Sequence, residues 1–130
     1  MLSVAKMNIT ANGRKTVGQV QEEFNLKYPY LKIDFYLGSP DGQIKTPLLP
    51  EVGLNSYKPS ISKTTKIVVK PEHTIEQLKD KFFKTFGINI LILTQSGDNW
   101  IEASKSDYWS IEYQNEHAER LNLKISRFED

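Results

Sequence analysis

Two histidines, His73 and His117, are the side chains of this sequence best suited to proton transfer at neutral pH, and no cysteine is present. To act as a general acid or base, or to ligate a metal, a histidine needs a second ionisable side chain at a fixed spacing. Neither histidine has another histidine or a carboxylate four residues away, the spacing that places two ligands on one helix face. We therefore predict that His73 lies in a surface loop. We predict that His117 lies exposed on an acidic helix, paired with a neighbouring glutamate.

The sequence motifs of catalysis and cofactor binding are missing from this chain. It has no phosphate-binding loop, no dinucleotide fingerprint and no nucleophile elbow. The lack of cysteine excludes disulfides and thiolate metal sites. We expect a protein that is not an enzyme and that has no catalytic residue, no metal and no cofactor.

A group of lysines is the strongest indication of an acidic ligand. Residues 1–70 contain ten Lys or Arg and five Asp or Glu, whereas residues 71–130 contain seven and eleven. Complementary packing of the two halves would explain this asymmetry, and so would an acidic partner bound by the first half. The candidate basic patch, near Tyr57, consists of Lys58, Lys63, Lys66 and Lys70. Binding of nucleic acid or another acidic ligand through this patch is the alternative function.

Trp100, Tyr108 and Trp109 are the leading candidates for binding another protein. They lie beside a predicted turn and a predicted helix start, and Trp and Tyr supply much of the binding energy of protein interfaces. Their positions also fit, and on balance favour, a role in sealing one edge of the hydrophobic core. We predict a non-catalytic protein-interaction or adaptor domain, whose partner the sequence does not identify.

Two similar helices position these side chains. Residues 16–24 and residues 74–82 both begin Thr-x-x-Gln and share their apolar positions, at an offset of 58 residues. In each, the threonine and the glutamine can form a capping box at the helix start. Pro29 ends the first helix and Gly87 ends the second. The similarity indicates an internal repeat.

A β-strand is predicted before and after each helix, with a further one in a hairpin. The predicted strands span residues 2–10, 31–37, 66–70, 88–93 and 100–103. Strand 31–37 alternates apolar and polar residues, as a strand with one solvent-exposed face does. Strand 88–93 is apolar at nearly every position, which is typical of a strand covered on both faces.

Each strand–helix–strand unit predicts a parallel strand pair, because its crossover is long enough for a right-handed connection. We therefore predict one α+β domain over residues 1–130, in which units 1–37 and 64–130 share one mixed sheet in a ferredoxin-like arrangement. A ubiquitin-like roll around residues 65–104 is the second topology. The proline-rich segment 38–63 is predicted as a long loop that either packs on the body or binds a ligand.

A third helix is predicted near the C-terminus. Ser106 and Asp107 are its candidate caps, and it extends to about Glu119. Residues 121–125 alternate with period two, which favours a last strand, and continuation of the helix is the alternative.

Several of these residues together carry a resemblance. They are Thr74, Ile75, Leu78, Phe82, Phe86, Gly87, Ser96, Gly97, Trp100, Asp107 and Trp109, with Val17, Gly18, Phe24 and segment 28–33 in the first unit. In this order they resemble a family of small bacterial proteins of unknown function. The resemblance covers most of the chain outside the long loop and the tail. It implies no activity and no catalytic residue.

The sequence has no candidate membrane segment. No apolar run approaches the roughly 20 residues that a membrane-spanning helix needs. Residues 1–6 lack the basic region and the apolar core of a signal peptide. We expect a cytoplasmic protein with no membrane partner.

Overall fold

A computed structural model of the chain describes residues 8–39, 41–60, 62, 64–103 and 108–129. These residues form an α+β fold with the elements β1 (Ile9–Asn12), α1 (Val17–Lys27), β2 (Leu31–Gly38), β3 (Lys45–Pro47), β4 (Lys66–Val69), α2 (Ile75–Phe86), β5 (Asn89–Ser96), β6 (Asn99–Glu102) and α3 (Ile111–Glu129). The first predicted strand corresponds to β1, although most of its predicted length lies outside the described residues.

Both predicted capping boxes are confirmed. At the start of α1, the Gln19 amide donates to the Thr16 hydroxyl at 3.2 Å, and the Thr16 amide donates to the Gln19 side chain at 2.9 Å. At the start of α2, Thr74 and Gln77 make the same two bonds at 3.1 and 3.0 Å. Gly87 ends α2 with a φ of 71°, in the left-handed region that glycine enters without a steric penalty.

The prediction of one mixed sheet with parallel strand pairs is wrong. β1 and β4 form a two-stranded antiparallel sheet, whereas β3, β2, β5 and β6, in that order, form a four-stranded antiparallel sheet. β2 pairs with β5 along one edge and with β3 along part of the other, and β1 pairs with β4 instead. Each of α1 and α2 therefore connects two sheets and is not a crossover within one.

Both sheets pair the corresponding strands of the two units. Thr10 of β1 pairs with Val68 of β4, and these residues are 58 positions apart, the same offset that relates the two helix caps. In the larger sheet, Ile33 of β2 pairs with Ile92 of β5. The ferredoxin-like arrangement and the ubiquitin-like roll both need the strands before and after a helix in one sheet. The observed pairing matches neither.

The hydrophobic core lies on one face of the four-stranded sheet. β2 and β5 contribute alternate residues to it, among them Ile33, Phe35, Ile90 and Ile92, which are at most 2% exposed. The ring of Phe35 lies 5.4 Å from that of Phe82 on α2, in an edge-to-face arrangement. Buried residues of α1, of α3 and of the two-stranded sheet belong to the same cluster. These elements therefore pack around one core on this face.

The opposite face of the four-stranded sheet is partly exposed, so the prediction that the strand after α2 is covered on both faces is wrong. Leu91 and Leu93 alternate with buried isoleucines, are only partly buried and lie outside the core cluster. Lys32 and Asp34 share this face and are exposed, as the alternation in β2 predicted. The apolar run in β5 therefore contributes half of its side chains to the core.

Segment 38–63 packs on the body in its described part. It contains β3, a strand that the sequence did not indicate, and Leu54 within it is fully buried. The amides of Val17 and Gly18, at the start of α1, donate at 2.8 Å to carbonyl groups of this segment. The segment therefore satisfies polar groups of α1 that the helix itself leaves unpaired.

α3 continues through residues 121–125, so the prediction of a last strand there is wrong. Ile111 and Ala118 are buried, at helical spacing. Asn122 donates to the carbonyl of Gln95 at 2.9 Å and so joins the helix to the turn between β5 and β6. The contacts that the helix makes with this distant part of the chain decide the conformation of the segment, not its alternating leucines.

The cap of α3 differs from the predicted one. The Tyr113 amide donates to the Ser110 hydroxyl at 3.1 Å, so Ser110 has the capping role that was predicted for Ser106 and Asp107. Ser106 and Asp107 lie outside the described residues. The Ile111 amide, in the first turn, donates at 2.8 Å to the carbonyl of the residue before Thr74, in the turn between β4 and α2.

Gly18→Ala should destabilise the fold, although alanine normally favours a helix over glycine by about 1 kcal/mol. A Cβ on Gly18 would lie 2.9 Å from the Pro50 Cβ and 3.1 Å from its carbonyl oxygen, which the Gly18 amide already binds. We expect the free energy of unfolding, measured by urea denaturation, to fall by about 1–3 kcal/mol. Leu26→Ala, at an exposed position of α1, is the control and should change it by about 0.5 kcal/mol or less. A stabilising effect of Gly18→Ala would contradict the close packing.

Candidate binding surfaces

The three aromatic residues predicted to bind a partner lie on two separate surfaces. Trp100 is part of β6, on the partly exposed face of the four-stranded sheet. Tyr108 and Trp109 lie just before α3 and are 81% and 37% exposed. None of the three belongs to the core cluster of the described residues, so they do not seal the core there.

The exposed rings at the start of α3 form a stack along the helix. The ring of Trp109 lies 4.6 Å from that of Tyr113 and 5.0 Å from that of His117, both edge-to-face. Successive members are four residues apart, the spacing that aligns side chains on a helix surface. His117 therefore contacts aromatic rings and not the glutamates with which it was predicted to pair. We term Trp109, Tyr113 and His117 the aromatic stripe.

Acidic side chains border the aromatic stripe. Glu112 and Glu116, each one residue before a ring of the stripe, are exposed on α3. The guanidinium of Arg120 lies 5.9 Å from the centroid of the Tyr113 ring. The surface combines apolar rings with negative charge, which suits a partner that carries apolar and basic side chains.

Lysine side chains cover the aromatic rings on the open face of the four-stranded sheet. Lys32 Nζ reaches from β2 across β5 and lies 4.3 Å from the centroid of the Trp100 ring. Lys45 Nζ lies 5.1 Å from the centroid of the Tyr36 ring. An ammonium group lies over each of these rings, and neither Tyr36 nor Trp100 is exposed. These aromatics therefore offer less free surface than Trp109 and Tyr113, which are exposed.

The predicted basic patch does not form one continuous surface. Lys58 Nζ donates at 2.9 Å to the carbonyl of Lys84 in the last turn of α2, where the helix dipole also favours a cation. Lys63 lies outside the described residues. Lys66 and Lys70 are exposed at the two ends of β4 and stay available for an acidic group.

Lys66 and Lys70 line a pocket of about 320 Å³ between β4 and α2. α2 contributes Lys81 and Thr85, four residues apart on one helix face, and the turn before α2 contributes His73. No lining residue is acidic. Three ammonium groups thus concentrate positive charge at one place. We term these five residues the basic pocket.

His73 has a defined tautomer and a lowered pKa. Its Nδ1 accepts the Lys70 backbone amide at 3.0 Å, so the proton of the neutral ring lies on Nε2. Burial lowers the pKa of His73 below its usual value, and the charges of Lys81 and Lys70 lower it further, whereas Glu72 raises it. His73 lies in a surface turn, as predicted, but its ring is half-buried.

A further cavity, of about 420 Å³, lies between α1 and the edge of β2. Its lining mixes one cation, Lys32, with the carboxylates of Glu22 and Asp34. Gln21 donates to Asp34 at 3.4 Å, and Asn25 donates to the backbone of β2 at 2.8 Å. Because its charges have mixed sign and its amides already have partners, this cavity indicates no ligand class.

Comparison with protein-family models, with curated proteins and with solved structures found no match. The resemblance to a family of small bacterial proteins therefore stays a prediction. Among the described residues, no helix has the length and the apolar composition needed to cross a bilayer. The same residues contain no group of three His, Asp or Glu side chains placed to hold a metal ion.

Sequence reasoning missed part of each surface. Tyr113 and His117 follow Trp109 at spacings of four and eight, a helical signal that was present in the sequence. No sequence pattern distinguished Lys81 and Thr85, because α2 carries several other polar and charged side chains. Only the packing of α2 beside β4 brings them to the pocket.

The fold should lose stability as the pH falls through the unfolded pKa of histidine, about 6.5, because the unfolded chain protonates His73 more readily than the folded protein does. The loss should end below the folded pKa of His73, where both states carry the proton. His73→Asn keeps an acceptor for the Lys70 amide and removes the titration. We expect a smaller difference in the free energy of unfolding between about pH 7.5 and about pH 5.5 in this variant than in the wild type. Equal differences, measured by urea denaturation, would contradict the assignment.

Proposed function

We propose that this protein is a non-catalytic binding domain that docks a basic, amphipathic segment of another protein on the aromatic stripe of α3. The observation that carries the proposal is the cluster of rings formed by Trp109, Tyr113 and the half-buried His117, in which Trp109 and Tyr113 are exposed and Trp109 meets both other rings edge-to-face. Rings of this size are usually buried in a core or at an interface, and these lie outside the core cluster.

The rigidity of the stack supports docking. Each ring limits the rotation of its neighbour, so binding would lose little side-chain entropy. The first turn of α3 is also held in place, because the amides of Ile111 and Glu112 donate to the carbonyls of His73 and Pro71 at 2.8 and 3.1 Å. Preorganised aromatic anchors of this kind are typical of residues that dominate binding energy.

The surroundings of the stripe support a basic partner. Glu112 and Glu116 are exposed on α3, each one residue before a ring of the stripe. Charges at the rim of an interface speed association with a partner of opposite charge and disfavour partners of like charge. Leu121, which is 45% exposed and four residues after His117, extends the apolar surface along α3. A helix or extended segment with apolar and basic side chains fits this combination.

Trp100 is not part of the proposed docking surface. Its ring lies under the ammonium group of Lys32, on the open face of the four-stranded sheet. A partner on the aromatic stripe would contact α3 and the residue before it, Tyr108, which is 81% exposed. Trp100 can therefore be replaced in fluorescence experiments on Trp109 without altering the proposed docking surface.

We also propose that the two strand–helix–strand units arose by duplication. The matching capping boxes of α1 and α2 support this, as does the pairing of Thr10 with Val68 at the offset of the repeat. The duplicated positions are caps and core residues. The aromatic stripe has no counterpart in the first unit, so the proposed function belongs to the second unit alone.

Tyr113→Ala should remove most of the partner binding and leave the fold intact, because Tyr113 is 42% exposed. Truncation of an aromatic anchor costs about 2 kcal/mol of binding free energy, roughly thirtyfold in affinity. Proteins retained by the immobilised wild-type chain would be identified by mass spectrometry, and their affinities measured by isothermal titration calorimetry. In a Trp100→Phe background, the partner should also protect Trp109 from quenching by acrylamide.

Tyr57→Ala is the matched control, because Tyr57 is 43% exposed and lies in a different segment. Glu112→Lys combined with Glu116→Lys should weaken binding, most strongly at low salt. Circular dichroism and thermal unfolding would establish that each variant folds. The proposal would be overturned if the partners bound the wild type, Tyr113→Ala and Tyr57→Ala with equal affinity. It would also be overturned if the proteins retained by the wild-type chain contained no basic segments.

A further inference from the structure

We propose that the basic pocket of Lys66, Lys70, His73, Lys81 and Thr85 binds the phosphate group of a small phosphorylated molecule. The pocket lies between β4 and α2 and shares no residue with the aromatic stripe. The inference therefore goes beyond the proposed docking of a protein and does not depend on it.

The lysines of the pocket lack counter-charges. Elsewhere in the chain, Lys15 pairs with Glu23 at 2.8 Å and Lys84 pairs with Asp80 at 3.1 Å. Lys66, Lys70 and Lys81 make no ion pair with any described residue, and no carboxylate lines the pocket. Like charges that converge on one cavity repel each other, and a bound anion would relieve this repulsion.

The pocket runs along the unpaired edge of β4. β4 pairs only with β1, so its other edge has no strand partner among the described residues. Ile67 and Val68 both line the pocket. Because consecutive residues of a strand point to opposite faces, a cavity that touches both lies at the strand edge. Backbone amides at such an edge are donors that suit anions.

Neutral donors complete the pocket. The Nδ1 atom of His73 already accepts the Lys70 amide, so its Nε2–H is free to donate, and Thr85 adds a hydroxyl. A phosphate monoester presents three terminal oxygens and close to two negative charges at neutral pH. A carboxylate, with two oxygens and one charge, would leave more of these donors and ammonium groups without a partner.

The size and the isolation of the pocket favour a small molecule over nucleic acid. A volume of about 320 Å³ lies at the small end of the range for ligand pockets. Proteins that bind single strands have a basic groove that follows the nucleic-acid backbone. Here Lys58 is bound to the end of α2, and the negative charge of Glu72 lies near His73. The positive charge is therefore confined to the pocket.

Titration of the full chain, followed by ¹H–¹⁵N NMR, tests the inference with three probes: phosphoserine, inorganic phosphate and a short oligodeoxythymidine. We expect phosphoserine and inorganic phosphate at millimolar concentration to shift the amide signals of Lys66, Lys70 and Thr85 and the ring signals of His73. Lys70→Gln combined with Lys81→Gln should weaken phosphoserine binding by about tenfold or more, because charge-assisted hydrogen bonds are lost.

Lys45→Gln combined with Lys124→Gln is the matched control, because it removes the same charge from exposed positions away from the pocket. This pair should change the affinity by about twofold or less. Equal weakening by both pairs would overturn the inference, and so would the absence of shifts at the pocket of the wild type. Tighter binding of the oligonucleotide, with shifts that extend beyond the pocket, would assign the site to nucleic acid instead. Tyr113→Ala should bind phosphoserine as tightly as the wild type does. A failure of phosphate binding can therefore be told apart from a failure of protein docking.

Discussion

The antiparallel ladder between β2 and β5 is the interaction on which the rest of the structure depends. It joins strands that are distant in the sequence and sets Ile33 against Ile92 and Phe35 against Ile90. These pairs create the apolar face on which the helices pack. In each strand–helix–strand unit, the two strands that flank the helix lie in different sheets, so the ladder joins the strand that follows α1 to the strand that follows α2. The two units therefore bury their helices only together.

The two proposed sites are held by one backbone turn at the margin of this core. The turn between β4 and α2 carries His73, whose ring lines the basic pocket. The carbonyl of the same residue accepts the Ile111 amide and so fixes the first turn of α3, next to Trp109. The scaffold thus positions the basic pocket and the aromatic stripe with the same short segment. Neither of them needs a long functional loop.

The parts of the fold that depend on neighbouring residues could be predicted from the sequence. The cap at Thr74 and the left-handed end at Gly87 follow from local hydrogen bonds and sterics. Strand pairing could not be predicted, because alternation shows which face of a strand is buried but not which strand lies beside it. The tail of α3 was mispredicted because its helical contacts, such as that of Asn122, are made with a distant turn. For the same reason, Lys66 was a candidate from the sequence, whereas Lys81 joined it only through the packing of α2.

The edges of the four-stranded sheet have a consequence for the behaviour of the protein at high concentration. β3 and β6 are its outer strands, and both are short. Pro47 in β3 has no amide to donate, Lys45 adds a charge there, and Glu102 adds one to β6. A strand from a second molecule would meet interrupted hydrogen bonding and charge at either edge, which opposes the intermolecular β-sheets that lead to aggregation. Within the described residues, the four-stranded sheet therefore offers only short, charged edges for self-association, although large aromatic rings are exposed on α3.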